Sequence, residues 1–424
     1  MFAYPSLRAT DLAARSTGTA LKPSSTPKRL VTIDALRAFA ATAVVLTHIS
    51  HHEAIESNLR RALLLPFDFG YLGVTLFLVI SGFCIHLAAS VRPGGVLQAP
   101  SWGTFWKRRF YRLYPAYVAA AGFSYVVYRC LPSARYSAIN QVHWFGYDAA
   151  AHALLIHNLF ANFPFSLGNG VFWTLGLEEQ LYALYAIYVV LRRKRKALSL
   201  VACALAISLL WRVAVVVPFG TRTLGSGPLA LGSWWTWPFG WWFCWIIGAV
   251  AAEAYAGVFR LPRWCFNLRV AAVLAVTALF ANRLTLGQFG HSHFAEDALG
   301  RSPLWWSIFF RVLPECSELA FAVCFFICIN YLVGAEQTKP RGRSWLAFAR
   351  LGRMSYSLYL THVPIVMLVE SVLPSGSATF GRIALKYAVL VPLSLSFGWV
   401  YFWAVERNFL IEKPSGAVGT SGAS

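Results

Sequence analysis

The chain has 424 residues, 58% of them hydrophobic and 13% charged, with a mean hydropathy of +0.55 and a formal net charge of +20. That balance excludes an ordinary soluble domain. It also excludes a nucleic-acid surface, which needs basic residues gathered on one face of a soluble domain that this chain has no polar segment to build.

Residues 1–28 are polar and Ser/Thr-rich, carry Arg8, Asp11, Arg15 and Lys22, and read as a disordered tail. They lack the charged start, apolar middle and small-residue cleavage site of a secretory leader, so the first apolar span is expected to stay as an anchor. A bilayer core of about 30 Å needs about 20 apolar helical residues. That length marks candidates at 31–51, 71–91, 113–131, 149–163, 171–191, 197–217, 233–256, 268–284, 305–333, 355–373 and 383–405.

Lys and Arg are retained on the cytoplasmic side. The cluster Arg92, Lys107, Arg108, Arg109, Arg112 and the cluster Arg192 to Lys196 must therefore be separated by an even number of crossings. Segment 149–163 becomes a re-entrant or interfacial piece, and about ten transmembrane helices remain, with both termini cytoplasmic. This arrangement puts 25 of the 37 basic residues inside, 9 in outer loops and 3 in the spans, so the positive charge is a topology signal. The fold class is all-α, a polytopic helix bundle. One membrane domain covers 29–410, with no repeat or linker dividing it, and 411–424 is a flexible Gly/Ser-rich tail. The cysteines fall mostly in apolar runs and read as small hydrophobes, so neither a disulfide nor a metal site is expected.

An ionisable group in mid-bilayer costs at least about 2.5–3.5 kcal/mol, so each one raises a functional question. In "IDALRAFAATAVVLTHIS" (Ile33 to Ser50), Arg37 and His48 are eleven residues apart, about 20° off a shared azimuth and about 16 Å of rise. Singly, Arg37 could snorkel and His48 could bond a neighbouring helix. Sharing one stripe, they favour a lined cavity. "FWKRRFYRLYP" places Arg109 and Arg112 at i,i+3, which reads either as a positive-inside stop with an aromatic belt or as a phosphate clamp of paired guanidiniums.

"VFWTLGLEEQLYALY" carries Glu178 and Glu179 two turns into its span, with Tyr182 one turn beyond Glu178. Two adjacent carboxylates cannot both face lipid. They point to an acid/base role, the competing reading being an ion pair with a span arginine such as Arg212. In "SYSLYLTHVPI", His362 precedes a kinking Pro364 and is either a satisfied core histidine or a functional one. Ser81-Gly82 in "GVTLFLVISGFCIH" reads as close helix packing, Arg311 and Glu315 as a structural ion pair with Glu318 adjacent, and His51-His52, His291 and His293 lack a metal-ligand set.

These stretches, in this order and running from about Arg29 to Phe409, resemble the membrane-bound acyltransferase type 3 family, which includes bacterial O-antigen and exopolysaccharide O-acetyltransferases. The resemblance rests on Arg37-x10-His48, "GVTLFLVISGF", Arg109-x-x-Arg112, "FWTLGLEEQLY", "SYSLYLTHVPI" and the closing "YFWAVERNFL" with Glu406. It implies transfer of an acyl group, acetyl foremost, from cytoplasmic acyl-CoA to a hydroxyl of a glycan or glycolipid at or beyond the outer face of a bacterial inner membrane.

Under that resemblance His48 and Glu178 are the catalytic residues, and Arg37, Arg109 and Arg112 bind the coenzyme. Tyr182, His362 and Ser81 line the acceptor path, and acyl-CoA is a co-substrate with no tightly bound cofactor. Thr174 stands where the family usually has Ser and Leu181 where Phe is common. No hydrolase-like domain is expected after the last span, so acceptor handling falls to the membrane domain or a partner. The competing class is a secondary transporter or flippase using His and Glu as a proton relay, for which paired broken helices are not apparent.

Overall fold

The computed structural model describes residues 30–50, 70–92, 96–131, 144–216, 223–286, 304–339, 341–372 and 380–410. The expectations for both tails, for His51-His52, for His291 and His293, and for the Arg311 side chain lie outside what is described.

Twelve α-helices occur among the described residues: α1 (Val31–Ser50), α2 (Gly70–Ala89), α3 (Trp102–Cys130), α4 (Phe145–Ala153), α5 (Trp173–Arg192), α6 (Ala197–Trp211), α7 (Trp242–Tyr255), α8 (Leu268–Leu286), α9 (Leu304–Thr338), α10 (Arg343–Arg353), α11 (Ser355–Val372) and α12 (Phe380–Ala404). A ribbon of β1 (Val91–Arg92) and β2 (Val96–Leu97), paired antiparallel, joins α2 to α3. Among these residues five helical stretches are long and apolar enough to cross a membrane: Val31–Ile49, Gly70–Ala89, Ala197–Val216, Glu315–Thr338 and Gly381–Phe409. The chain is an all-α membrane protein.

Helices occupy the expected apolar windows, with informative departures. The 149–163 segment forms the nine-residue α4 and the 3₁₀ turn His157–Leu159, about 14 Å of α-helix and too short to cross a bilayer. Helix α3 begins eleven residues before its apolar window, because the basic stretch before Pro115 is itself helical. The window 233–256, expected to be one helix, opens as the 3₁₀ turns Trp234–Thr236 and Pro238–Trp241. Pro238 lacks an N–H and forces Trp237 into extended backbone (ψ 147°), so the α-helix starts only at Trp242. Helix α6 ends in a π turn, Arg212–Val216. Neither the ribbon nor the amphipathic α10 is visible in a hydropathy count.

Glycines set the closest helix crossings. A Cβ on Gly82 of α2 would lie 1.9 Å from the Trp245 carbonyl oxygen of α7, and one on Gly248 of α7 would lie 2.0 Å from that of Val79. The two backbones meet at a mutual glycine contact that any side chain would open. Gly352 of α10 is pressed in the same way onto Asp34 of α1.

Hydrogen bonds record which helix ends meet. The free N–H groups of Val31 and Thr32 at the start of α1 donate to Oε1 and Oε2 of Glu336 in the last turns of α9, both at 2.8 Å. The Ser357 N–H near the start of α11 donates to Glu406, which follows α12. His86, Arg192 and Glu253 join the ends of α2, α5 and α7. Elsewhere Arg212, after α6, donates to Glu315 and Glu318 of α9 and to the Gly240 carbonyl before α7.

Candidate active site

Helix α1 is alanine-rich and free of Gly and Pro, so it runs unbroken from its carboxylate cap at Glu336 past Arg37 to His48. Arg37 is half-buried, 3.4 Å from Asp34 one turn earlier, and within electrostatic reach of Glu178 and Tyr182 of α5. Eleven residues on, His48 meets α11: its Nδ1 lies 2.9 Å from the Val44 carbonyl oxygen and 3.3 Å from Nε2 of His362, with ring centroids 5.0 Å apart.

The partners fix the tautomers. A carbonyl oxygen only accepts, so His48 Nδ1 carries its hydrogen toward Val44, and His362 Nδ1 carries its own toward the Leu358 carbonyl at 3.1 Å. His362 Nε2 is then an acceptor facing the His48 Nδ1–H. The lone pair of His48 resides on Nε2, as a base or nucleophile requires.

The second histidine is held by its helix. Pro364 removes the N–H that would have satisfied the Leu360 carbonyl, and the Asn169 amide supplies it at 2.8 Å while also donating to Ser124 of α3. Helix α11 therefore passes through Pro364 to Val372. Tyr359, one turn before Val363, lies 5.9 Å from the His362 ring and bonds Thr174 Oγ1 at 2.7 Å, which ties α11 to the start of α5.

On α5, Gly176 allows the helix to seat against Asn158, whose Oδ1 would lie 2.5 Å from a Cβ there. The Asn158 amide pairs with Gln180, which turns Glu178 toward α2. A directional chain follows. Trp245 Nε1–H donates to Ser81 Oγ at 3.3 Å, Ser81 Oγ–H donates to Glu178 Oε1 at 2.8 Å, and Tyr182 O–H donates to the same oxygen. Indole can only donate, so the chain runs one way and ends on an accepting carboxylate. The Arg109 guanidinium lies 6.0 Å over the Tyr182 ring, and Arg112 is within electrostatic reach of Arg37, Arg109, Tyr182 and Glu406.

All eight residues singled out in the sequence thus fall into two adjoining groups. Ser81, Glu178, Tyr182, Arg37, Arg109 and Arg112 form a mixed-charge cluster, and His48 with His362 forms a ring pair. Tyr359 lies between them, within electrostatic reach of Glu178. The described contacts of the His48 ring are Val44 and His362, and those of the Glu178 carboxylate are Ser81 and Tyr182.

Arg212, weighed in the sequence as an ion-pair partner for Glu178 and Glu179, pairs instead with Glu315 and Glu318 at 2.9 and 2.8 Å. Sequence reading gave no role to Trp245, Tyr359, Asn169 or Glu406. It missed the buried Glu253, which accepts from Arg192, His86 and Tyr188, and the Glu370–Lys386 pair at 2.6 Å. An acidic residue inside an apolar run, as in "GAVAAEAY", is the signal that would have found both carboxylates.

Residues 30–403 match the model of an acyltransferase domain, Acyl_transf_3. A Bacillus subtilis (strain 168) protein named "Putative peptidoglycan O-acetyltransferase YrhL" is 26% identical over 392 residues, covering 86% of this chain and 53% of the relative, so the chain spans about half of that protein's length. "Acyltransferase MdmB" of Streptomyces mycarofaciens is 25% identical over 346 residues, covering 80% of this chain and 79% of the relative. No solved structure matches the chain. With that match running through the histidine pair and the mixed-charge cluster alike, the chain belongs to the acyltransferase type 3 family of membrane-bound enzymes and is an acyltransferase.

Proposed function

We propose that the protein moves an acyl group, acetyl foremost, from cytoplasmic acyl-coenzyme A to a hydroxyl of a glycan or glycolipid at or beyond the outer face of a bacterial cytoplasmic membrane. The observation that carries this reading is the His48 ring, whose Nδ1 is engaged by Val44 and His362 so that Nε2 bears the lone pair. Arg37, Arg109 and Arg112 hold the phosphates of the donor, whose long arm is comparable in reach to the rise of about 16 Å from Arg37 to His48. The donor is a co-substrate, and no tightly bound cofactor is needed. A relative named for peptidoglycan O-acetyl transfer supports a glycan acceptor.

In direct transfer the acceptor oxygen attacks the thioester carbonyl as its proton passes to His48 Nε2. The new C–O bond forms, the C–S bond breaks, and the thiolate leaves with the proton returned from the imidazolium. In relayed transfer Nε2 attacks the thioester carbonyl and the C–S bond breaks; His362 Nε2, 3.3 Å from Nδ1, takes the ring proton that the acylated imidazole sheds and passes it to the departing thiolate, and the acceptor hydroxyl then attacks the acyl carbon as the C–N bond breaks and its proton returns to the His48 ring. Ser81 and Tyr182 hold the Glu178 carboxylate in place near the donor's arginines. Labelled donor without acceptor separates the routes, since only the relay leaves a labelled protein.

A ten-crossing topology with cytoplasmic termini accompanies this reading. The starts of α1 and α11 and the ends of α2, α5, α7, α9 and α12 meet through Glu336, Glu253 and Glu406, and the basic clusters flank those same ends. The test is purified protein in lipid nanodiscs with acetyl-coenzyme A and an oligosaccharide acceptor. Acceptor-dependent release of free coenzyme thiol with acetylated sugar is expected; neither product from folded protein refutes the assignment.

A further inference from the structure

Glu406 opens the 3₁₀ turn Glu406–Phe409 after α12 and is 2% exposed. Its carboxylate accepts the Ser357 N–H at 3.1 Å and the Ser357 Oγ–H at 2.5 Å, filling a donor that the first turn of α11 leaves open. Both donors are neutral. Arg112 and Arg37 are within electrostatic reach, yet among the described residues neither closes on Glu406 as an ion pair.

Other buried carboxylates here take their cation directly, Glu253 from Arg192 at 2.7 Å and Glu370 from Lys386 at 2.6 Å. The separation at Glu406 is built in. Tyr356 O–H donates to the Leu113 carbonyl at 3.0 Å and Tyr401 O–H to that of Ala116 at 2.5 Å, which pins the start of α11 and the end of α12 against α3 just beyond Arg112. The carboxylate is thus fixed beside the guanidiniums and kept from neutralising them.

Acyl-coenzyme A and free coenzyme A carry the same phosphates, so arginines that grip the donor tightly grip the product equally and slow its departure. A fixed negative charge lowers both affinities together. We infer that Glu406 sets the affinity for the coenzyme, a resident anion that Ser357 holds short of Arg37 and Arg112 so that donor and spent coenzyme alike bind weakly enough for the product to leave. This rests on the donor reading given above.

Glu406→Gln keeps the shape and the acceptor oxygen for Ser357 and removes the charge. Coenzyme A, titrated into the full-length protein in nanodiscs, is expected to bind about 3- to 10-fold more tightly than to wild type, with kcat falling as release slows. A purely structural glutamate gives unchanged or weaker binding, and either result overturns the inference. Should that variant fail to fold, Ser357→Ala decides: without the hydroxyl that holds it short, the carboxylate closes on Arg112 and neutralises it, so coenzyme binding weakens about 2- to 3-fold, whereas unchanged or tighter binding overturns the inference. If wild type binds no coenzyme A, the donor reading falls and takes this inference with it; if wild type binds and the variants do not shift, only this inference falls.

Discussion

Glu253 and Glu178 are both carboxylates on helices of the bundle, the first in the last turn of α7 and the second five residues into α5, and their partners differ in kind. Glu253 accepts Arg192 Nε at 3.0 Å and NH2 at 2.7 Å, the Tyr188 hydroxyl at 3.0 Å and His86 Nε2 at 3.0 Å. His86 Nδ1 then accepts from Tyr185, and Tyr185 meets Ser90 at 2.5 Å, so the charge is matched and each neighbour is engaged in turn. Glu178 is half-buried and takes two neutral hydroxyls on one oxygen, with Arg37 and Arg109 held at a distance. A carboxylate whose acceptor sites are filled by a guanidinium fork is architecture. One restrained by hydroxyls among cations that do not close on it is available to a substrate.

The sharpest way to break the comparison is at the architectural site. Arg192→Ala leaves the Glu253 charge buried without its cation, for which a loss of about 3–5 kcal/mol is expected, read as a lowered melting temperature and a poor yield of monodisperse protein. At the other carboxylate the effect moves to chemistry. Glu178→Gln is expected to lower acyl transfer about 100- to 1000-fold while the melting temperature stays near wild type. A large fall in stability there would place Glu178 with Glu253. Arg112→Gln removes a charge-assisted contact to the donor, and the KM for acyl-coenzyme A is expected to rise about 10-fold with kcat little changed. Smallest is Ser81→Ala, which removes one of two hydroxyls on Glu178 and is expected to cost about 3- to 10-fold in kcat/KM.

How much of this was legible in the sequence follows the range of the interaction. Arg37 and His48 lie on one helix, so a 3.6-residue period relates them, and adjacent carboxylates at Glu178 and Glu179 are conspicuous in any apolar stretch. Helix positions followed from apolar length, which also marked 149–163 as the short candidate. What periodicity could not give is the meeting of separate helices. His48 and His362 are 314 residues apart and Glu253 and His86 are 167 apart, so their pairing depends on how α1 crosses α11 and α7 crosses α2. Ser81-Gly82 shows both sides of this: Gly82 does set the close approach to α7, but that approach is what brings Trp245 onto Ser81 and Ser81 onto Glu178. Local backbone chemistry explains the break in the 233–256 window, since Pro238 interrupts a stretch that apolar length alone marks as one helix.

The measurement that bears most directly on the account is acyl transfer from labelled acetyl-coenzyme A by wild type and His48→Ala in nanodiscs, with folding checked by thermal melt. The account predicts that the folded variant loses transfer by at least about 100-fold while still binding coenzyme A, because the lone pair on Nε2 is gone and the arginines remain. Transfer at the wild-type rate by folded His48→Ala would contradict it.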